Sequence, residues 1–161
     1  MPVSKFKEYL DSRQIKYVSI AHSTAYTAQE IAALTHIPGQ ELAKTVIVKL
    51  DDALAMAVLP ASFQVDLALL KAAAGANSAR LASEAEFRAS FPDCETGAMP
   101  PFGNLYGIAV YVDESLTRDR EIAFNAGFHN ELVRLSYADY EHLTKPKVAK
   151  FATRRASSTA A

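Results

Sequence analysis

Three places in the 161-residue chain bring together residue types that could do chemistry. The stretch ELAKTVIVKL, residues 41–50, sets Lys44 at the start of a run in which Thr45 to Val48 are β-branched without a break. Such a run reads as a strand buried on both faces or nearly so. A cation beside it either snorkels to water or serves a purpose. The second place is TGAMPPFGNLYG, residues 96–107, which holds three of the six glycines and the Pro100-Pro101 pair. Prolines restrict such a loop while Gly97 and Gly103 free it, so it can offer backbone N–H groups to a carbonyl, the oxyanion-hole device. The same composition also fits a plain turn between helix and strand. The third is FNAGFHNE, residues 124–131, with Asn125, Gly127, His129 and Asn130. His129 there is either a proton shuttle or orienting donor, or an exposed histidine in an Asn- and Gly-rich hairpin turn.

Other constellations carry less. His22 sits at a strand end where it can cap a turn, and His36 and His142 read as surface histidines. Cys94 has nothing local to make it a nucleophile and reads as a packed thiol. Glu84 and Glu86 fall on opposite sides of a helix and make no catalytic pair. No histidine or carboxylate pair has a zinc spacing, so no metal is expected. Neither G-x-G-x-x-G nor G-x-x-x-x-G-K-[ST] occurs, and no cofactor is expected.

The elements that must position these residues follow from local pattern. Ser4 reads as the cap of a first helix with Phe6, Tyr9 and Leu10 on its inner face. KYVSIAH alternates as a strand ending near His22, and Thr27 with Glu30 forms a capping box for a short helix. Pro38-Gly39 marks a turn before the Lys44 strand. Asp51-Asp52 lies between TVIVKL and ALAMAVL, which predicts a hairpin. VDLALLKAAAG reads as a helix stopped by Gly75, and Ser83 with Glu86 caps SEAEFRASF. Strands are predicted over 105–112, 121–125 and ELVRLS, then a last short helix from Ser136. The sum is mixed α/β with about six or seven strands and hairpins that exclude a purely parallel sheet.

Composition sets the bounds. Half the residues are hydrophobic and 22% are charged, an ordinary globular balance for one domain, expected over residues 1–150. No apolar run approaches the roughly 20 residues that span a bilayer, and MPVSKFKEYL reads as a helix start rather than a signal peptide. The single cysteine rules out an internal disulfide and fits a reducing compartment, with the cytoplasm as the expected location. Net charge is −1, but from His142 onward there is no Asp or Glu, while Lys145, Lys147, Lys150, Arg154 and Arg155 supply +5. A basic stretch of this kind can touch phosphate, or be a solvated terminus. Residues 151–161 are expected to form a disordered tail.

Taken in order, AHS at 21–23, AKTVIV at 43–48, AVLPAS at 57–62, GAMPPFG at 97–103, YVDESL at 111–116 and FNAGFHNELVRLS at 124–136 resemble the YbaK/prolyl-tRNA synthetase editing-domain family. The resemblance runs over about residues 4–144 and implies a mixed, partly closed sheet surrounded by helices. It also implies hydrolysis of the ester joining a wrong amino acid to tRNA, usually tRNA(Pro), by a chain that edits in trans, with a synthetase as a partner. By position, Lys44 matches the family's essential lysine, which holds the terminal adenosine or its phosphate. Gly97 to Pro101 match the loop that fixes the aminoacyl carbonyl, so Ala98, Met99 and Pro100 enter the expected substrate site. His129 falls where some members place a pocket-shaping histidine. His22, Thr45, Gly103 and Gly127 complete the expected substrate-binding set, and Thr45 stands where some members have Asn.

An aminoacyl ester is already activated, so such a site needs to hold the carbonyl, stabilise developing charge and aim a water. Whether its pocket takes alanine, cysteine, serine, threonine or a nonstandard residue stays open at this level. The competing reading is a non-catalytic module of the same fold that binds tRNA, a nucleotide or a synthetase. Intact Lys44 and an intact glycine–proline loop favour the enzyme, because a binder would be free to lose either. Hydrolysis of another small ester is a third possibility.

Overall fold

The structure is a computed structural model that describes residues 2–21, 41–92 and 94–154. Helix α1 (Pro2–Ser12) leads to strand β1 (Tyr17–Ala21). Strands β2 (Ala43–Leu50), β3 (Ala53–Pro60) and β4 (Phe63–Val65) precede α2 (Leu67–Ala74), β5 (Ala79–Leu81) and α3 (Glu84–Phe87). The chain continues through β6 (Ala109–Asp113), β7 (Glu121–Asn125), β8 (Glu131–Ser136), α4 (Tyr137–Thr144), β9 (Lys147–Ala149) and β10 (Ala152–Arg154). Three sheets result, in the orders β5-β2-β3-β6-β9, β1-β8-β7 and β10-β4. β3 pairs with β6, and β6 with β9, in parallel, while the β2–β3 hairpin is antiparallel, so the sheet is mixed as expected. None of the three sheets closes on itself among the described residues. The partial closure expected from the resemblance reduces to one parallel bridge, Leu42 to Ala123, between the two larger sheets.

The β-branched run explains the centre of the fold. β2 and β3 send Ala43, Ile47, Met56 and Val58 into the main core and Val48, Leu50, Ala57 and Leu59 into a second one. The first core is completed by α1 and a cluster of rings around Phe102, which lies 4.9 Å from Phe6, 5.6 Å from Phe124 and 5.4 Å from Tyr140. Full burial of a side chain like Phe102 contributes about 1.5–3 kcal/mol. The second core packs the opposite face against Leu70 of α2 and Phe151.

Local signals come out largely as the sequence implies. Asp51 turns the hairpin with a left-handed φ of 56°, and its carboxylate accepts the Asn77 and Ser78 N–H groups. Gly75 ends α2 in the left-handed conformation, and Ser83 with Glu86 forms a complete capping box. Ser136 caps α4 by accepting the Asp139 N–H at 3.1 Å.

Four findings differ from expectation. Ten strands are present among the described residues rather than six or seven, because β4, β5, β9 and β10 have three residues each, too few to show alternation. The strand expected over 105–112 begins only at Ala109, since Gly103–Leu105 form a 3₁₀ turn and Gly107 takes a φ of 70°. Ser4 lies inside α1 rather than at its cap. Residues 151–154, expected to belong to a disordered tail, are ordered instead. Phe151 is fully buried, and β10 pairs with β4. Asp113 holds this segment, accepting the N–H groups of Phe151 and Ala152 at 2.9 and 2.8 Å. His22, His36, Pro38-Gly39 and the Thr27–Glu30 box lie outside the described residues. No helix among the described residues is long and apolar enough to cross a membrane.

Candidate functional site

The glycine–proline loop is held by the loop that follows β7. Glu95 N–H donates to Gly127 O at 2.7 Å, and Gly127 N–H donates to Ala98 O at 2.8 Å. The Glu95 carboxylate accepts the His129 N–H at 2.6 Å. His129 Nε2 lies 2.9 Å from Thr96 O, and since a carbonyl only accepts, that nitrogen is the donor. The imidazole is buried, and its Nε2–H braces the loop through Thr96 O. Glycine is required at both hinges of this clasp. Gly97 has a φ of 87° and Gly127 one of 108°, a region that costs other residues about 1–3 kcal/mol.

Beyond Gly97 the loop dives into the core. Ala98, Met99, Pro100, Pro101, Phe102 and Gly103 are all buried. Gly97 N–H donates to Met99 Sδ at 3.3 Å, and a thioether is a weak acceptor that a carbonyl oxygen would displace. Tyr140 O–H donates to Pro101 O at 2.9 Å, and burial pushes this phenol well above its ordinary range. Gly103 has a packing reason for lacking a side chain, because a Cβ there would stand 2.3 Å from Ile108 O. A cavity of about 810 Å³ opens beside the clasp, lined by Arg88, Phe91, Pro92, Cys94, Glu95 and Thr96.

Lys44 is half-buried and faces Leu59 across the hairpin. The parallel bridge from Leu42 to Ala123, with Ala123 N–H donating to Glu41 O, aligns β2 with β7. Two residues further along each strand come Lys44 and Asn125, and the clasping loop starts at the next residue. Alternation gives Lys44 the face of Val46 and Val48, whereas Thr45 shares the main-core face with Ala43 and Ile47. Asn125 Oδ1 is buried with no hydrogen-bond donor among the described residues.

Ala98, Gly127 and His129 are therefore drawn together by hydrogen bonds that run through Glu95 and Thr96, and a Cβ on Gly97 would stand 3.6 Å from His129 Cε1. Thr45 and Gly103 face the core, and His22 lies outside the described residues. Sequence reasoning missed Glu95 and Tyr140. A carboxylate two residues before the first loop glycine was the available signal for Glu95, since loop N–H groups need acceptors. Nothing local marks Tyr140.

The family described as "Aminoacyl-tRNA editing domain" matches residues 22–143, well over half of the chain. The chain belongs to the aminoacyl-tRNA editing domain family. Among curated relatives, the Multifunctional Ser/Thr-tRNA deacylase ProXp-y of Escherichia coli, strains K12 and O157:H7, is 38% identical over 97 residues. That match covers 60% of this chain and 58% of the relative, so the chain spans less than two thirds of its length. Among solved structures, hypothetical protein APE2540 superposes with a TM-score of 0.84 at 24% identity, covering 92% of this chain and 99% of that one. A protein proposed to be a trans-editing enzyme for prolyl tRNA synthetase gives 0.81 at 22% identity, over 94% and 97%. At these identities the likeness is one of fold, and it is the editing-domain fold that the sequence resemblance implied.

Proposed function

We propose that this chain is an aminoacyl-tRNA deacylase that acts in trans on the ester joining a small non-cognate amino acid to the 3′-terminal ribose of a tRNA. The observation that carries this reading is the editing-domain match over residues 22–143, which takes in Lys44, the Gly97–Pro101 loop and His129 together. The chemistry supports it. The Gly97 N–H, held among the described residues only by a thioether, is available to the aminoacyl carbonyl and to the charge that develops on it. The clasp through Glu95 and His129 fixes that N–H in advance, so little reorganisation accompanies reaction. Lys44, a compact cation, anchors the terminal adenosine through its phosphate or ribose.

Serine and threonine are the first amino acids to try, because the Escherichia coli relative is named for them. The tRNA(Pro) assignment draws on the sequence resemblance and on the structural neighbour proposed to serve prolyl tRNA synthetase. The test is turnover of seryl-, threonyl- and alanyl-tRNA, including mischarged tRNA(Pro), by the purified protein and by Lys44→Ala. The parent should deacylate at least one of these well above the spontaneous rate. Lys44→Ala should lose activity by about two orders of magnitude, as for removal of one transition-state contact, with an unchanged melting temperature. A parent inert on the whole panel defeats the deacylase reading, and full turnover by the variant defeats the role of Lys44.

A further inference from the structure

Basic side chains gather where α1 and α4 end. Arg13 directly follows α1, His142 lies in the last turn of α4, and Lys145 caps it with a left-handed φ of 48°. With Tyr9 and Asn104 they line a cleft of about 320 Å³. Its walls are fixed to one another. The Arg13 guanidinium lies 5.3 Å from the centre of the Tyr9 ring, and Asn104 Nδ2 donates to Tyr9 Oη at 3.2 Å. Among the described residues, no Asp or Glu lines the cleft. In a chain of net charge −1, this is a local concentration of basic side chains without an ion-pair partner among the described residues.

The cleft lies on the flank of the glycine–proline loop. Asn104 comes three residues after Pro101, and Tyr140, which donates to Pro101 O, lies two residues before His142. We propose that this cleft grips the phosphate backbone of the tRNA whose 3′ end enters the clasped site, an inference that rests on the deacylase reading above. Two features favour a polynucleotide over a small enclosed anion. The last carbonyl groups of two helices face this end of the molecule and disfavour an anion seated deeply among them. Arg13 and Lys145 are exposed, so a phosphodiester passing over the mouth meets their charges first. Arg13, stacked on Tyr9, presents a planar fork suited to a phosphate, with Lys145 as a second point charge.

The experiment measures binding of uncharged tRNA against salt for the parent and for Arg13→Gln/Lys145→Asn, asparagine being tolerant of the left-handed backbone at 145. The double variant should bind about tenfold more weakly. Its slope of log affinity against log salt should shrink by about 1.4–1.8, as for two lost phosphate contacts. On an aminoacylated tRNA the loss should appear in KM, and Arg13→Lys, which keeps the charge, should bind like the parent. Arg13→Gln alone, on an exposed side chain, carries the test should the double variant melt early. Unchanged affinity and slope overturn the proposal, as does AMP binding at the cleft without any effect on tRNA. Because the binding arm uses uncharged tRNA, a parent that hydrolyses nothing defeats the deacylase reading while the cleft is still judged on its own.

Discussion

Glu95 is, with His129, a side chain through which the two loops of the site hold each other, and its removal tests whether that grip matters to catalysis. In Glu95→Ala the His129 N–H loses an acceptor at 2.6 Å, while the backbone bonds from Glu95 N–H to Gly127 O and from Gly127 N–H to Ala98 O remain. The loop should therefore loosen without unfolding. A hydrogen bond to a charged group is worth about 1.5–3 kcal/mol, and the exposed position of Glu95 points to the lower end. A loss of about 1.5 kcal/mol lowers the melting temperature by roughly 3–6 °C in a chain of this size. If that energy is spent on placing the Gly97 N–H, kcat/KM falls about tenfold. Glu95→Gln keeps a neutral acceptor and should lie between parent and Ala in both readouts. The assay is single-turnover deacylation of a misacylated tRNA beside thermal melting of the same preparations. A Glu95→Ala enzyme with parental kcat/KM and a lowered melting temperature would refute the reasoning, since the clasp would then serve stability alone.

Asp113→Ala should cost about 2–4 kcal/mol in urea unfolding at pH 7, because the Phe151 and Ala152 N–H groups lose their acceptor. Burial alone would raise the Asp113 carboxyl, but the Ser115 hydroxyl and three backbone N–H groups outweigh it and hold it below the ordinary aspartate value. The stabilisation is thus present above about pH 4, the unfolded-state value, and lost as pH falls through the lowered folded-state value, so the gap between parent and variant should narrow as pH drops below about 4. Asp119 behaves oppositely: burial first, and then the neighbouring Glu41, raise it to about 6. The folded state takes up that proton before the unfolded state does, so stability contributed at this position rises as pH drops from 7 towards 4. Asp119→Asn should remove that rise and stabilise the protein at pH 7 by about 1 kcal/mol, given how far solvent reaches the group. Gly103→Ala should destabilise by about 1–3 kcal/mol through overpacking against Ile108 O, measurable as a drop in urea midpoint. At Gly75 nothing lies within 4 Å, so the same change costs only about 1 kcal/mol of backbone strain.

What the sequence made legible is what local chemistry encodes. The Asp51 hairpin, the Gly75 stop and the Ser83–Glu86 box each arise within a few residues, and each stands where pattern put it. The order of the Lys44 strand, the glycine–proline loop and the His129 loop was enough to reach the family. Distance along the chain hid the rest. Tyr140 finds Pro101 from 39 positions away, and Asp113 finds Phe151 from 38, with no periodicity to announce either. Phe151 is one apolar residue in a basic, polar stretch, and charge counting alone assigned it to solvent. Within the loop, alternation was silent on which glycines serve a turn and which serve packing. Gly97 needs its left-handed backbone, whereas Gly103 needs to have no Cβ.

The pairing of β1 with β8 also governs when this protein can fold. Tyr17 meets Leu135 and Ala21 meets Glu131, so 110 positions or more of chain must exist before β1 can meet β8. Ribosomes add about 5–20 residues per second, which leaves β1 waiting roughly 5–20 s after it is made. The β2–β3 hairpin, closed by Asp51 and Asp52, needs no such delay and offers a local seed. Assembly during synthesis should therefore start from the middle of the sequence and recruit the N-terminal strand late, before β9 docks on β6 and β10 on β4. Throughout that interval the alternating YVSIA segment is an unpaired strand edge, and it is there that a chaperone would have most to protect.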